Sequence, residues 1–171
     1  MKMNIKQRHF IKSTEIKTLK ADILKQYDQT FIDQIFPKKC RIEVIHSEAG
    51  DILYAVNNQL KLWKSKDGYI PVLTLLLKGK IDIKTIIVDM GAIRFVTNGA
   101  DIMRPGITKI AHDIKKGNIV KIADETHGRT LAVGKAMFDA KEMEDKKKGK
   151  VVYNLHTIND DIWNLAKSWG K

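Results

Sequence analysis

The stretch Ile86 to Thr108, IIVDMGAIRFVTNGADIMRPGIT, leaves the chain few ways to fold. Ile86-Ile87-Val88 is a short apolar run of the kind a buried strand uses. Asp89 follows where its carboxylate can accept the free backbone N–H groups of a helix start. Gly91 and Ala92 keep that corner nearly bare of side chains, so another backbone can come close. Ala92 to Asn98, with Ile93, Phe95 and Val96, has the length of about two helical turns. Asn98-Gly99 offers the left-handed residue that commonly ends a helix. Ala100 to Arg104 reads as extended chain, and Pro105-Gly106 fits a type II turn. The expected order is strand, tight corner, short helix, strand, turn.

Asp89-x-Gly91-Ala92, Gly99-Ala100 and Pro105-Gly106-Ile107, in that order, resemble the opening of a PUA domain, the small RNA-binding pseudo-barrel attached to many RNA-modifying enzymes. Lys116-Gly117-Asn118-Ile119-Val120 resembles the family's Gly-Asp-x-Val stretch, with Asn118 where Asp is usual. Leu131-Ala132-Val133-Gly134 is similar to its small-residue strand before the last hairpin. The resemblance covers residues 84 to 155.

Charge narrows the partners. The formal net charge is +11 and the pI near 9.6, which favours a polyanion. Residues 1–83 hold 15 basic and 9 acidic residues and residues 84–171 hold 16 and 11, so both halves are expected to face it. A lysine-rich composition serving solubility alone gives a similar excess. One cysteine, Cys40, excludes an internal disulfide and fits a reducing compartment. The polar start Met1-Lys2-Met3-Asn4 is no secretory leader, and no apolar run is long enough to span a bilayer. A cytoplasmic protein with no membrane partner is expected.

Lys2 to Lys12 reads as a basic, weakly apolar lead. Ser13 or Thr14 is placed to cap a helix in which Ile16, Leu19, Ile23, Leu24 and Tyr27 follow helical spacing. A second helix, Thr30 to Phe36, stops at Pro37. From Arg41 the period becomes two: Ile42 and Val44 in one strand, then a hairpin of Ile52 to Val56 and Gln59 to Lys64 around Asn57-Asn58. Val72 to Leu77 is apolar and compact, helix or strand, and a boundary is expected near residue 82.

Phe36-Pro37-Lys38-Lys39, that hairpin and Gly68-Tyr69-x-Pro71-x-Leu73 resemble the pre-PUA domain of the malignant T-cell-amplified-sequence family of translation proteins. Ile102-Met103-x-Pro105-Gly106 and Asn159-Asp160-x-x-Trp163 are similar to its PUA half, although the chain is shorter after Thr108 than eukaryotic members. The resemblance implies an α+β protein: an N-terminal pre-PUA α/β domain over residues 1–82, then a PUA β pseudo-barrel with a C-terminal helix over 83–171. It implies a non-catalytic translation factor binding the small ribosomal subunit around initiator or deacylated tRNA. In eukaryotes the family works with a partner carrying a SUI1 domain.

The physical reading of the corner runs beside this. Gly91 and Ala92 at a helix start offer backbone N–H donors and room for a phosphate. Arg94, Arg104 and Lys109 are the nearby cations, Met103 and Ile107 are placed to bear on a sugar or base, and Pro105-Gly106 shapes the turn. Lys38, Lys39 and Arg41 are the expected contact of the first half with ribosomal RNA or a protein partner. Each glycine has plain turn geometry as its simpler explanation, and the mixed run Lys141 to Lys150 is either a solvated loop or a second phosphate contact. Val151 to Tyr153 reads as the closing strand, and Asp160 to Trp169 as a final helix with Ile162, Leu165 and Trp169 inward. Trp63, Trp163 and Trp169 suit packing at least as well as base stacking.

Nothing points to catalysis or to a cofactor. The five histidines lie at no zinc-ligand spacing, and no nucleophile elbow, P-loop or dinucleotide glycine motif is present. The half outside the PUA match is too small for a pseudouridine synthase or methyltransferase fold. Cys40, among Lys38, Lys39 and Arg41, has cations to lower its thiol pKa and no evident base. The expected role is binding structured RNA, ribosomal or transfer, in initiation or recycling; the alternative is an accessory module lending RNA affinity to a modifying enzyme in trans.

Overall fold

A computed structural model describes residues 2–171 and divides them into two units. The described residues up to Asp82 join Asp161–Lys171 in the first; Ile83–Asp160 form the second.

The first unit begins with a strand, β1 (Ile5–Phe10), inside the stretch expected to be an irregular lead. A 6-residue strand exposed at every position carries no apolar alternation to betray it. Helix α1 (Ser13–Ile23) follows. Neither Ser13 nor Thr14 caps it. Both are already helical, and the Glu15 carboxylate reaches back to accept the Lys12 N–H at 2.8 Å. Helix α2 (Gln29–Ile35) starts one residue earlier than expected, because the Asp28 carboxylate accepts the Phe31 N–H at 2.9 Å. Strands β2 (Ile42–Ser47), β3 (Ile52–Val56), β4 (Gln59–Ser65) and β5 (Gly68–Pro71) complete an antiparallel sheet in chain order, β1 to β5. Asn57 (φ 48°) and Asn58 (φ 63°) make the two-residue turn between β3 and β4. The apolar segment after Pro71 is a short helix, α3 (Leu73–Leu76).

Two side chains bond backbone groups within this unit. The Gln26 amide pairs with β5 as a strand would, donating to Tyr69 O at 2.8 Å and accepting its N–H at 2.9 Å. The buried Lys61 ammonium donates to Ile35 O at 2.8 Å, at the carbonyl end of α2 where a cation is favoured. Burial pulls its pKa down from the ordinary lysine value.

In the second unit β6 (Thr85–Val88) leads through a 3₁₀ turn, Met90–Ala92, into α4 (Ile93–Thr97), which Gly99 (φ 91°) terminates. Strand β7 (Ile102–Met103) is shorter than the extended run expected. Arg104–Gly106 form a 3₁₀ turn rather than a type II turn, with the Ile107 N–H donating to Arg104 O. Gly106 has no positive φ; it is small because a Cβ there would stand 3.3 Å from that of Ala92. Strands β8 (Ile107–Ile110), β9 (Ile119–Asp124) and β10 (Thr130–Ala136) follow, then α5 (Ala140–Asp145) and β11 (Lys150–Thr157).

These strands pair in the order β7-β11-β10-β9-β6-β8, with β6 parallel to β9 and the other neighbours antiparallel. Its two edges, β7 and β8, are joined by one 3₁₀ turn, so the sheet curls into a nearly closed pseudo-barrel. Ile86, Val88, Ile122, Ala132, Val151 and Val152 are among the residues filling it. Helix α5 occupies part of the lysine run read as either a solvated loop or a second phosphate contact, and its Met143 is fully buried.

The last helix, α6 (Asp161–Ser168), was expected with the second half. It packs on α3 and β4 of the first unit, with Ile162 buried and Leu165 and Trp169 half-buried. Among the described residues no helix is long and apolar enough to cross a membrane.

The β9–β10 turn gives a pH prediction. The Asp124 carboxylate accepts the N–H groups of His127 (2.6 Å), Arg129 (3.1 Å) and Thr126 (3.0 Å). Those donors, His127 first, outweigh desolvation and hold its pKa below the usual aspartate value. Its stabilisation is fully present above the unfolded value of about 3.9 and is lost as pH falls through the depressed folded value. Asp124→Asn should therefore flatten the decline in unfolding midpoint below about pH 4. An unchanged acid limb would refute it.

Candidate nucleic-acid interface

The corner at Asp89 forms where the sequence puts it, but most of its donors are occupied. The Asp89 carboxylate accepts the Ala92 N–H at 2.9 Å, and Glu125 accepts the Met90 N–H at 3.4 Å. The Asp89 N–H in turn donates to Gly106 O at 2.8 Å, tying the corner to the following turn. Of the two backbone donors expected to meet a phosphate, Gly91 and Ala92, the second thus serves a carboxylate of the chain itself, as does the neighbouring Met90 N–H. Gly91 is solvent-exposed, and a Cβ there would meet only Asp89 Oδ1, at 3.4 Å.

The other expected residues separate into two groups. Arg94, Met103, Pro105 and Lys109 are exposed, and the Arg94 guanidinium lies 4.7 Å over the Phe95 ring. Ile107 is instead buried in the pseudo-barrel core, since its outward neighbour along β8 is Thr108. Arg104 is engaged within the fold: Nε donates to Met143 O at 2.7 Å, Nη1 to Ile107 O at 3.2 Å and Nη2 to Glu144 O at 3.5 Å. Its guanidinium closes the carbonyl end of α5 and holds it to the β7–β8 turn.

Tyr153, outside the expected set, and Lys150, the end of the lysine run weighed as a second phosphate contact, lie on the strand that pairs with Met103. Tyr153 on β11 is 45% exposed, and the Lys150 ammonium sits 5.9 Å from its ring centre. Lys150 pairs across the ladder with Met103 and binds the Asp101 carboxylate at 2.7 Å. Burial raises the Asp101 pKa, but hydrogen bonds from Lys150 and the Asn154 N–H outweigh it and hold the group below its usual value. The signal for Tyr153 was an aromatic beside Val152 in a strand whose valines face inward. Met90 and Phe95 are also strongly exposed apolar side chains of this unit.

In the first unit Lys38 and Lys39 are exposed just after Pro37. Arg41 is exposed as well, its guanidinium 4.2 Å over the Phe10 ring and its N–H donating to Asn57 Oδ1 at 2.9 Å. Cys40, between them, is half-buried. Among the described residues no three His, Cys, Asp or Glu side chains group as a metal site.

Comparison with known proteins agrees with this architecture. The PUA domain model matches residues 84–158 and the pre-PUA-like domain model residues 1–79. Translation machinery-associated protein 20 of Saccharomyces cerevisiae is 36% identical over 171 residues, covering 95% of this chain and 94% of its own. Malignant T-cell-amplified sequence 1 of Rattus norvegicus is 31% identical over 170 residues, covering 96% and 93%. The crystal structure of a hypothetical protein of Pyrococcus horikoshii superposes with a TM-score of 0.82 at 28% identity, over 94% of this chain and 99% of its own. With both domains matched in order and relatives aligned almost end to end, the chain belongs to the pre-PUA and PUA family of Translation machinery-associated protein 20 and the malignant T-cell-amplified sequence proteins.

Proposed function

We propose that this protein is a non-catalytic RNA-binding factor of translation that engages structured RNA, ribosomal or transfer, on the small ribosomal subunit. The names of its relatives support the setting, and its basic charge in both halves supports the polyanion. The observation that carries the reading is the exposed surface of the second unit, where cations accompany exposed aromatics: Arg94 over Phe95 and Lys150 beside Tyr153, with Met103 opposite Lys150. Such pairs neutralise phosphates while offering faces to sugars and bases. RNA contact then falls chiefly to side chains, since most N–H groups of the corner are engaged, and Lys38, Lys39 and Arg41 supply a second contact from the first unit.

Co-sedimentation with purified ribosomal subunits tests this. The protein should travel with the small subunit, and affinity for folded RNA should fall by about tenfold or more between 50 and 200 mM salt as counterions are released. Absence of binding at low salt, or affinity indifferent to salt, would overturn it.

Two variants locate the contacts. Gly91→Glu has space for its side chain, so it should fold normally yet weaken RNA binding by adding a carboxylate beside Asp89 and Glu125. Lys38→Glu combined with Lys39→Glu should weaken subunit binding without loss of fold, because both side chains are exposed. A SUI1-domain partner is the other occupant of that surface. If the double variant binds subunits normally alone and loses only the increment added by such a partner, the surface serves the protein.

A further inference from the structure

Among the described residues, three of the four sheet edges are short or covered. Strands β7 and β8 are 2 and 4 residues long and run into one another through the 3₁₀ turn. The edge of β5 is covered by the Gln26 amide, which takes both backbone groups of Tyr69. The fourth edge, β1, has no such guard, and all 6 of its residues are exposed. An unguarded edge is a template for another strand.

The register says which groups it offers. Ile11 donates its N–H to Ile42 O at 3.0 Å, and His9 stands opposite Val44 in the same ladder. In an antiparallel pair the bonded positions alternate, so His9 and Ile11 turn their backbone groups to β2. Arg8 and Phe10 therefore turn their N–H and C=O groups outward. Phe10 is 54% exposed and Ile5 37%, far more than apolar residues packed in a sheet. Arg41 covers one face of the Phe10 ring, leaving an aromatic edge beside the free backbone.

The surrounding charge selects the occupant. Residues 2–14 carry Lys2, Lys6, Arg8 and Lys12 and no carboxylate. Arg8 is engaged by Glu43 at 2.5 Å, whereas Lys6 and Lys12 are exposed. A second copy of β1 would set these like charges against one another. We propose that the outer edge of β1 is a docking site for an extended, acidic segment of a partner protein, added as a sixth strand through the backbone groups of Arg8 and Phe10. Acidic side chains of that segment meet Lys6 and Lys12, and an apolar one rests on Phe10. The inference does not rest on the RNA reading, and Arg41 is the one residue the two share.

A ten-residue peptide with threonine at its odd positions, valine at the sixth and glutamate at the other even positions puts acids and one apolar side chain on a single face and serves as the probe, followed by NMR and hydrogen exchange on the full chain. Binding should slow exchange of the Arg8 and Phe10 N–H groups. Phe10→Pro removes one outward donor and no β1–β2 hydrogen bond, so it should weaken the peptide about tenfold or more. Lys6→Glu with Lys12→Glu keeps every backbone donor, so it applies even if the proline disturbs the strand. It should reverse the preference toward the same peptide with lysine in place of glutamate. No slowing at Arg8 and Phe10, equal binding of both peptides by the charge-reversed chain, or protection of those amides by RNA or by self-association instead of the peptide would each overturn the proposal.

Discussion

Gly134→Val should destabilise the second unit by roughly 3 kcal/mol, and Gly134→Ala by a smaller but still large amount. The cause is the distance at which β10 meets β11. A Cβ built on Gly134 would lie 2.6 Å from Tyr153 O and 2.6 Å from Val152 Cγ1. One of those atoms is backbone in the ladder itself, so no side-chain rotation relieves the clash. The approach comes at the irregularity between Val133 and Gly134, where the register against β11 skips Leu155. All three tryptophans, Trp63, Trp163 and Trp169, belong to the first unit. Fluorescence therefore reports on the wrong half, and amide hydrogen exchange in β9, β10 and β11 is the suitable measurement. Protection there should collapse in the valine variant. Wild-type protection would mean that the two strands part at no cost.

Arg104→Ala should cost about 2 kcal/mol of stability. The loss is of three donors to carbonyls, the shortest being Nε to Met143 O at 2.7 Å, together with a cation at the carbonyl end of α5. Arg104→Lys should recover half of this or less, since an ammonium cannot span three acceptors set around a planar fork. The sequence alone suggested an exposed phosphate contact, whose removal costs about 1 kcal/mol of RNA affinity. The geometry moves the effect from affinity to stability. The unfolding midpoint should drop while the slope of log affinity against log salt stays as in the wild type. A shallower slope with an unchanged midpoint would restore Arg104 to the RNA surface.

That reversal shows where reading the chain succeeds. Asp89, Asn57-Asn58 and Gly99 were legible because their partners lie within a few residues: a cap N–H, a hairpin turn, a helix end. Arg104 was not, because its acceptors come from Met143 and Glu144, some forty positions along the chain. Ile107 looked like a contact residue beside a turn; only the pairing of β6 with β8 places it inside. Strand β1 escaped notice because an edge exposed on both faces has no apolar period to read. Tyr153 was visible as part of a strand, but its proximity to Lys150 depends on the irregular pairing of β11 with β7.

The placement of α6 has a consequence for how the chain is made. Its partners, α3 and β4, leave the ribosome long before it does, and the whole of Ile83–Asp160 is synthesised in between. The sequence of the first unit is therefore interrupted by that of the second, which is a complete insert along the chain. During synthesis the insert has all its residues available first, while the earlier unit waits with the surface that Ile162 will cover still open to water. A fragment meant to isolate the pseudo-barrel should stop at Asp160, since one carrying residues 161–171 would take away a helix whose packing partners stay behind. A circular permutant joining Lys171 to the start of the chain through a flexible linker, and opened near Asp82, would make the first unit continuous and let it close without waiting.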